Sequence, residues 1–164
     1  MKNTAAYTLV EILVGITIIG LIFGFGFVSF REFSRRQALA GVSKQIKGDI
    51  RLTQELALSG KKPDDPICNP PNVLASYRFG ITPPSSYYVE VRCTNNSAEG
   101  FVLVKQVDIS SDLQFSSISP NPIEFKVLGQ GTNIESGEKV DIVVNQLGTG
   151  SYTTVSVGYT GGVE

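Results

Sequence analysis

The hydrophobic residues of this chain follow three different spacings in turn. Residues 12–30 are apolar, small or hydroxyl-bearing, and none of them carries a charge. From residue 39 to residue 57, apolar side chains recur every three or four positions, whereas beyond residue 60 they alternate with polar ones. These spacings are typical of a membrane helix, an amphipathic helix and half-buried strands, respectively. The pattern predicts an α+β protein, in which a long N-terminal α-helix packs on a C-terminal antiparallel β-sheet head.

The uncharged run is long enough to cross a lipid bilayer. As a helix rising ~1.5 Å per residue, residues 12–30 would be about 28 Å long, close to the ~30 Å hydrocarbon core. The run stops at Arg31-Glu32. We interpret it as a transmembrane helix. A plain signal anchor remains an alternative, as does a cleaved secretory signal, although the apolar core of such a signal is shorter and precedes a small-residue cleavage site.

The three-to-four spacing continues the helix beyond the uncharged run. The stripe predicted to face the head consists of Leu39, Val42, Ile46, Ile50, Thr53 and Ala57. The first proline of the chain is Pro63, and Ser59-Gly60 supplies a typical helix C-terminus. We therefore expect one helix, or two nearly collinear ones, over residues 8–59.

Alternating residues and frequent turn signals follow the helix. The expected strands cover residues 73–79, 87–93, 101–109, 113–118, 123–128, 139–145 and 152–159. Breaks such as Pro83-Pro84 and Gly148-Thr149-Gly150 separate them. The alternation predicts antiparallel strands with one buried face, and it leaves the strand order open.

Composition excludes several classes of function. The 164 residues include no histidine and only two cysteines. This excludes Ser-His-Asp catalysis, His-ligated zinc and four-thiolate metal sites. The formal net charge is −1, and Lys105, Lys126 and Lys139 are scattered, whereas nucleic-acid-binding proteins carry a clustered basic excess. We expect a non-enzymatic protein without a cofactor or a metal, and we do not expect nucleic acid among its partners.

Glu11 stands at the edge of the apolar run. A carboxylate costs roughly 2.5–3.5 kcal/mol near the centre of a membrane helix and less near its end. No lysine or arginine lies within one helical turn of Glu11. Either the residue sits at interface depth, or it has a cationic partner. Cleavage between Ala6 and Tyr7 would create an ammonium group four residues away, and in a bundle of copies that group could pair with Glu11 of a neighbour.

The segment Tyr7-Thr8-Leu9-Val10-Glu11, followed by an apolar helix, resembles the signal of type IV prepilins and type II secretion pseudopilins. The resemblance implies that a prepilin peptidase cleaves between Ala6 and Tyr7 and that Tyr7 is then N-methylated. It also implies that Glu11 aids recruitment into a filament. The family leader ends in glycine, whereas this one ends in Ala6.

The resemblance also implies an organisation. Residues 1–6 would be the leader, 7–30 the transmembrane and filament-core half of the helix, 31–59 its amphipathic half, and 60–164 the β-rich head. The protein would cross the cytoplasmic membrane once with its head outside, and then enter a pilus or pseudopilus. Its partners would be other subunits, the peptidase and the inner-membrane assembly platform. The basic residues after the run would, by the positive-inside bias, favour the opposite orientation, but we follow the family.

Two further pairs of residues are candidates for structural roles. Gly20 and Gly24 form a small-xxx-small pair that permits close helix packing, although glycine is also simply common in membrane helices. Cys68 and Cys93 are 25 positions apart, and an extracytoplasmic head makes a disulfide between them plausible. The alternative is two unlinked thiols.

The end of the chain narrows the resemblance. Val155, Val157, Gly161 and Val163 are similar to the late-strand pattern of the GspH/FimT group of minor pseudopilins and minor pilins. We therefore expect a minor pilin or pseudopilin at or near the tip of a type IV pilus or type II secretion pseudopilus. The alternatives are a DNA-uptake minor pilin and an uncleaved, membrane-anchored adhesion module. Tyr87 and Tyr88, if exposed, could serve such a module, and packing in the core or at a sheet edge explains them equally well.

Overall fold

The computed structural model describes residues 8–95 and 98–164. Within this range, only the backbone of residues 25–29 is described. A single helix, α1, runs from Leu9 to Ser59. Its bounds match the helix expected over residues 8–59. Gly60 ends it with a positive φ of 60°, and its N–H donates to the carbonyl of Ala57 over 3.2 Å. Glycine suits this position because it adopts a left-handed conformation without steric cost.

The chain divides into two compact units, Met1–Ala38 and Leu39–Glu164. The division falls within α1, so the second unit contains the C-terminal part of the helix as well as all the strands. Among the described side chains, no helical stretch combines the length and the hydropathy needed to span a membrane. Residues 25–29 belong to the uncharged run expected to do so, and their side chains lie outside the described set.

The expected stripe of α1 is the face that packs on the strands. Ile46, Ile50 and Thr53 are fully buried, and Leu39 and Ala57 nearly so. Full burial of one such isoleucine stabilises the fold by roughly 1.5–3 kcal/mol. The amphipathic spacing thus places the helix on the sheets.

In the described residues after α1 there are seven strands, one for each strand that the alternation predicted. They are β1 (Val73–Thr82), β2 (Ser86–Thr94), β3 (Glu99–Asp108), β4 (Leu113–Phe115), β5 (Ile123–Lys126), β6 (Lys139–Gln146) and β7 (Tyr152–Gly158). Short 3-10 turns occupy Pro66–Cys68 and Val127–Gly129. The fold is therefore the predicted α+β arrangement of a long helix packed on antiparallel sheets.

Two strands end earlier than their hydrophobic residues suggested. β4 stops at Phe115, because Ser116 is followed by a segment rich in proline and serine. β5 stops at Lys126, because Leu128 adopts a left-handed conformation with φ 57°. Apolar residues continue to recur in both segments, but neither segment belongs to a strand.

The strands form two antiparallel sheets. The first has four strands in the order β3-β2-β1-β5, and the second has three in the order β4-β6-β7. β5 pairs directly with β1, although β2, β3 and β4 lie between them in the sequence. Phe79 is opposite Ile123, and Ser76 is opposite Lys126. One core cluster draws side chains from α1 and from both sheets.

Tyr87 lies in the centre of this core. Its ring centroid is 5.3 Å from that of Phe79 on β1 and 6.1 Å from that of Phe115 on β4. Its side chain is 1% exposed. The interpretation of Tyr87 as an exposed adhesion residue is therefore wrong: its position in the alternation of β2 points it inward. Tyr88 points to the other face, where its ring covers Gly80 and leaves no room for a Cβ atom.

Ion pairs cover that other face of the four-stranded sheet. Arg78 lies between two carboxylates, with Nη1 3.2 Å from Glu90 and Nε 3.3 Å from Glu124. Its guanidinium also lies 4.6 Å from the ring centroid of Phe101 on β3. Burial raises the pKa of Glu90, while Arg78 opposes that shift. These contacts link β1, β2, β3 and β5 across one face.

Candidate functional site

The sequence places the candidate processing site at the start of the chain. Ala6 and Tyr7, the residues on either side of the expected cleavage, lie outside the described residues. Thr8 is the first described residue, and it lies directly before α1.

Glu11 occupies the first turn of α1, and its side chain is exposed. Its backbone N–H donates to the Thr8 hydroxyl over 3.3 Å and to the Thr8 carbonyl over 3.1 Å. Thr8 therefore caps the helix, as serine and threonine commonly do. The sequence analysis missed this role, although Thr-x-x-Glu before an apolar run is a known signature of a helix start. A carboxylate in a first turn is also favoured by the helix dipole.

Large apolar side chains surround the first part of α1, on both sides of Glu11 in the sequence. Within the described part of the chain, the exposed ones between residues 9 and 23 are Leu9, Val10, Ile12, Leu13, Val14, Ile16, Ile18, Ile19, Leu21, Ile22 and Phe23. A soluble helix normally restricts such residues to one stripe, and a helix that is apolar all round is normally buried in a protein or in lipid. This segment therefore offers a large surface for lipid or for other helices.

Gly20 and Gly24 lie one helical turn apart on this segment. A Cβ atom built at either residue would meet no heavy atom within 4 Å. In the single chain, these glycines therefore leave open space on the helix surface. The pairing of helices through Gly20 and Gly24 stays a prediction.

Cys68 and Cys93 form a disulfide, with their Cα atoms 5.3 Å apart. Cys68 ends the first 3-10 turn and Cys93 lies near the end of β2, and both side chains are fully buried. The bond attaches the irregular segment after α1 to the four-stranded sheet.

A polar cluster lies between α1 and the sheet, at Asp49, Tyr87 and Lys105. The Tyr87 hydroxyl donates to Asp49 Oδ2 over 2.6 Å, and Lys105 Nζ lies 2.6 Å from Oδ1 and 2.8 Å from Oδ2. The helix is thereby joined to β2 and to β3. Asp49 is not part of the stripe that the sequence predicted to face the head, and Lys105 was described only as one of three scattered lysines. The signal that the sequence analysis missed is spacing, since Asp49 is three residues from Ile46 and adjacent to Ile50.

The environment of this cluster keeps the tyrosine protonated. Burial raises the pKa of the Tyr87 hydroxyl far above its ordinary value, and the hydrogen bond and negative charge of Asp49 raise it further. Because its pKa is so high, the Tyr87 hydroxyl stays protonated at neutral pH and acts as a hydrogen-bond donor rather than as an acid catalyst. The cluster therefore suits a structural role.

Comparison with known families supports the reading of the N-terminus. Residues 1–27 match the family model of the prokaryotic N-terminal methylation motif. The motif indicates a type IV pilin-like substrate of a prepilin peptidase and implies membrane anchoring and assembly with pilin subunits. Comparisons with curated proteins and with solved structures gave no significant match.

Proposed function

We propose that this chain is a minor pilin or pseudopilin of the GspH/FimT kind. In this proposal residues 1–6 are removed, Tyr7 is N-methylated, and the subunit enters a type IV pilus or type II secretion pseudopilus at or near its tip. The observation that carries the proposal is the methylation motif over residues 1–27, which coincides with the start of a helix whose described surface is apolar.

The location proposed for the subunit follows from its two contrasting parts. Residues 12–30 would hold the subunit in the cytoplasmic membrane, where the assembly platform acts on it. The β-rich head would lie outside the cytoplasm. The disulfide between Cys68 and Cys93 supports this side of the membrane, because disulfides persist in oxidising compartments and are rare in the cytosol.

In the proposed mechanism Glu11 selects the register of assembly. Cleavage before Tyr7 creates an ammonium group near the beginning of α1. In a filament core, water is excluded, so the Glu11 carboxylate of one subunit and the ammonium of its neighbour stabilise each other strongly. An unpaired charge at the same depth is costly, which disfavours other registers. The exposed position of Glu11 leaves its carboxylate accessible to a neighbour.

The pattern at the end of the chain supports the narrower assignment. Val155 and Val157 are fully buried on β7. Gly161 has a φ of 89°, and the chain returns so that Val163 forms a bridge with Val157. The late-strand pattern thus corresponds to a strand and a tail that folds back on it.

Processing is tested by the mass and N-terminal sequence of the membrane-extracted chain, with and without a co-expressed prepilin peptidase. We expect a peptidase-dependent product that begins at Tyr7 and carries one added methyl group. Ala6→Leu should block this product because a large side chain stands at the cleavage site, whereas the matched variant Ala5→Leu should be processed. An intact Met1, or cleavage near Ser29, would refute the proposal and leave an anchored or secreted β domain.

Assembly is tested separately with Glu11→Gln. This variant should be cleaved normally but recovered in sheared filaments at a level about tenfold lower, since removal of one partner from a buried ion pair leaves the other unpaired. Glu32→Gln is a matched control, because Glu32 lies on the same helix and pairs with Arg36 in its own chain. Equal recovery of the two variants would contradict the proposed role of Glu11.

A further inference from the structure

In the part of the chain that the structure describes, the two sheets have four edges, and other backbone of this chain bonds to all or part of three of them. β5 is covered by residues 131–133: Lys126 N–H donates to the Gly131 carbonyl over 2.9 Å, and Asn133 N–H donates to that of Glu124 over 3.2 Å. β5 therefore has hydrogen-bonded backbone on both sides.

The edges of the second sheet are covered as well. On β4, the Phe115 N–H donates over 2.8 Å to the carbonyl of Pro84, which lies in the turn between β1 and β2. On β7, Ser156 exchanges two backbone hydrogen bonds with Glu164, at 3.0 and 3.2 Å. Folded proteins cover or shorten their sheet edges because unpaired strands bind other chains.

β3 is the exception. It is 10 residues long, and in the described part of the chain it has a strand neighbour on one side only, namely β2. Its register with β2 skips Val104, so the strand carries one bulge at its centre. A bulge bends an edge, but it leaves an extended backbone on either side.

The side chains of β3 add an apolar surface to this open edge. Phe101, Leu103 and Val104 are 44%, 58% and 44% exposed. A long edge strand with exposed apolar residues is a template for pairing with another polypeptide. Lys105 forms an ion pair with Asp49 of α1, so its positive charge is compensated within the chain, and 39% of its side chain is exposed.

The acidic residues of β3 lie at its two ends. Glu99 and Asp108 are exposed, and they flank the apolar centre. Glu99 lies 3.5 Å from Arg92 of β2, and Asp108 accepts from the Ser86 hydroxyl over 2.6 Å. If two copies paired antiparallel over the full strand, Glu99 of one would oppose Asp108 of the other at both ends. Parallel pairing in register would bring each acid next to its own counterpart. Like charges directly opposite destabilise a strand pair. The charge pattern therefore disfavours a second copy and favours a segment with basic ends.

We propose that β3 is a docking edge that receives an extended segment of another polypeptide as a fifth strand of the first sheet. The segment would carry apolar side chains at alternate positions and lysine or arginine at both ends. Backbone hydrogen bonds would supply affinity, and the alternating and terminal side chains would supply selectivity, as in other cases of strand addition. This inference goes beyond the filament role, and it does not depend on processing of the leader.

The test uses the full chain in detergent and a synthetic peptide of alternating valine and threonine with lysine at both ends. Hydrogen exchange of backbone amides is followed with and without the peptide. We expect new protection in β3 at amides that do not bond to β2, because only an added strand occupies those donors. A matched peptide with glutamate at both ends should bind about five- to tenfold more weakly, since two favourable cross-strand charge pairs become repulsive.

The variant Leu103→Lys distinguishes strand docking at β3 from non-specific hydrophobic binding of the peptide. The side chain is exposed and lies opposite Glu90, so the head should remain folded, but the apolar centre of the edge is lost. We expect weaker binding of the lysine-ended peptide. Leu147→Lys, at another exposed leucine outside β3, should bind as the unchanged chain does.

Three results would overturn the proposal. The first is peptide-induced protection that is absent from β3, and the second is equal binding of the two peptides. The third is concentration-dependent protection of β3 without peptide, which would identify a second copy as the occupant. Each result is independent of whether the leader is cleaved, so failure here is distinguishable from failure of the proposed function.

Discussion

Asp49 shows how one polar residue can fix a helix on a sheet. It is buried at the centre of the helical face, and its two carboxylate oxygens receive a tyrosine hydroxyl and a lysine ammonium. Tyr87 and Lys105 come from different strands, so the geometry of the cluster holds only when α1, β2 and β3 are correctly placed. The apolar stripe supplies burial, and this cluster adds a requirement for one register.

Replacement of Asp49 by alanine should destabilise the head by about 1–3 kcal/mol, because the buried Tyr87 hydroxyl loses its acceptor, whereas Lys105 is 39% exposed and can be solvated by water. Urea unfolding of the full chain in detergent, monitored by circular dichroism, measures the change. Glu55→Ala is the matched control: Glu55 lies on the same helix but is exposed, so its replacement should change the free energy of unfolding by less than about 0.5 kcal/mol. Similar values for both variants would show that the cluster contributes little.

At the scale of elements, the disulfide compensates for a segment without regular structure. Between Ser59 and Val73, the chain forms only one 3-10 turn, stabilised by Asp65, whose carboxylate accepts from the Ile67 N–H over 2.8 Å. Such a segment has few backbone hydrogen bonds to hold it in place. The bond from Cys68 to Cys93 ties it to β2 instead.

Reduction of this disulfide should lower the free energy of unfolding by about 3.5 kcal/mol, the value expected from chain entropy for a closed loop of this length. Thermal unfolding with and without dithiothreitol measures the loss. The double variant Cys68→Ala/Cys93→Ala should be insensitive to dithiothreitol and no more stable than the reduced chain. An oxidised and a reduced protein of equal stability would contradict this prediction.

At the scale of the whole molecule, the two units satisfy their apolar surfaces differently. The unit Leu39–Glu164 buries its apolar residues in one core formed by helix and sheets. In the unit Met1–Ala38, the large apolar side chains among the described residues are exposed. The described apolar side chains of Met1–Ala38 are thus left uncovered in the single chain, whereas Leu39–Glu164 has a core of its own.

Gly24→Val should distinguish these two units. The added side chain meets open space in the single chain, so the thermal stability of the head should not change. If neighbouring helices approach closely at Gly20 and Gly24, recovery in sheared filaments should fall about three- to tenfold. Gly15→Val is the control, because Gly15 is equally open but lies on a different side of the helix. Equal recovery of both variants would show that the glycine pair does not mediate packing.

The sequence by itself determined the elements. The helix from Leu9 to Ser59 and all seven strands were predicted, because hydrophobic periodicity, glycine and proline act over a few neighbouring residues. The motif at the N-terminus was also visible, since it is a contiguous run of residues. The ends of β4 and β5 were predicted two or three residues too late. The residues just after each of these strands include apolar side chains, as the strands themselves do.

Only the tertiary structure decided which elements are neighbours. The pairing of β1 with β5 joins residues far apart in sequence, and so does the pairing of β4 with β6 in the second sheet. In the described residues, these pairings leave β3 at the edge of the first sheet. The burial of Asp49 and Tyr87 likewise depended on a meeting of helix and sheet that no local pattern records. Periodicity states which face of an element is apolar, but the partner of that face is chosen by the packing of the whole core.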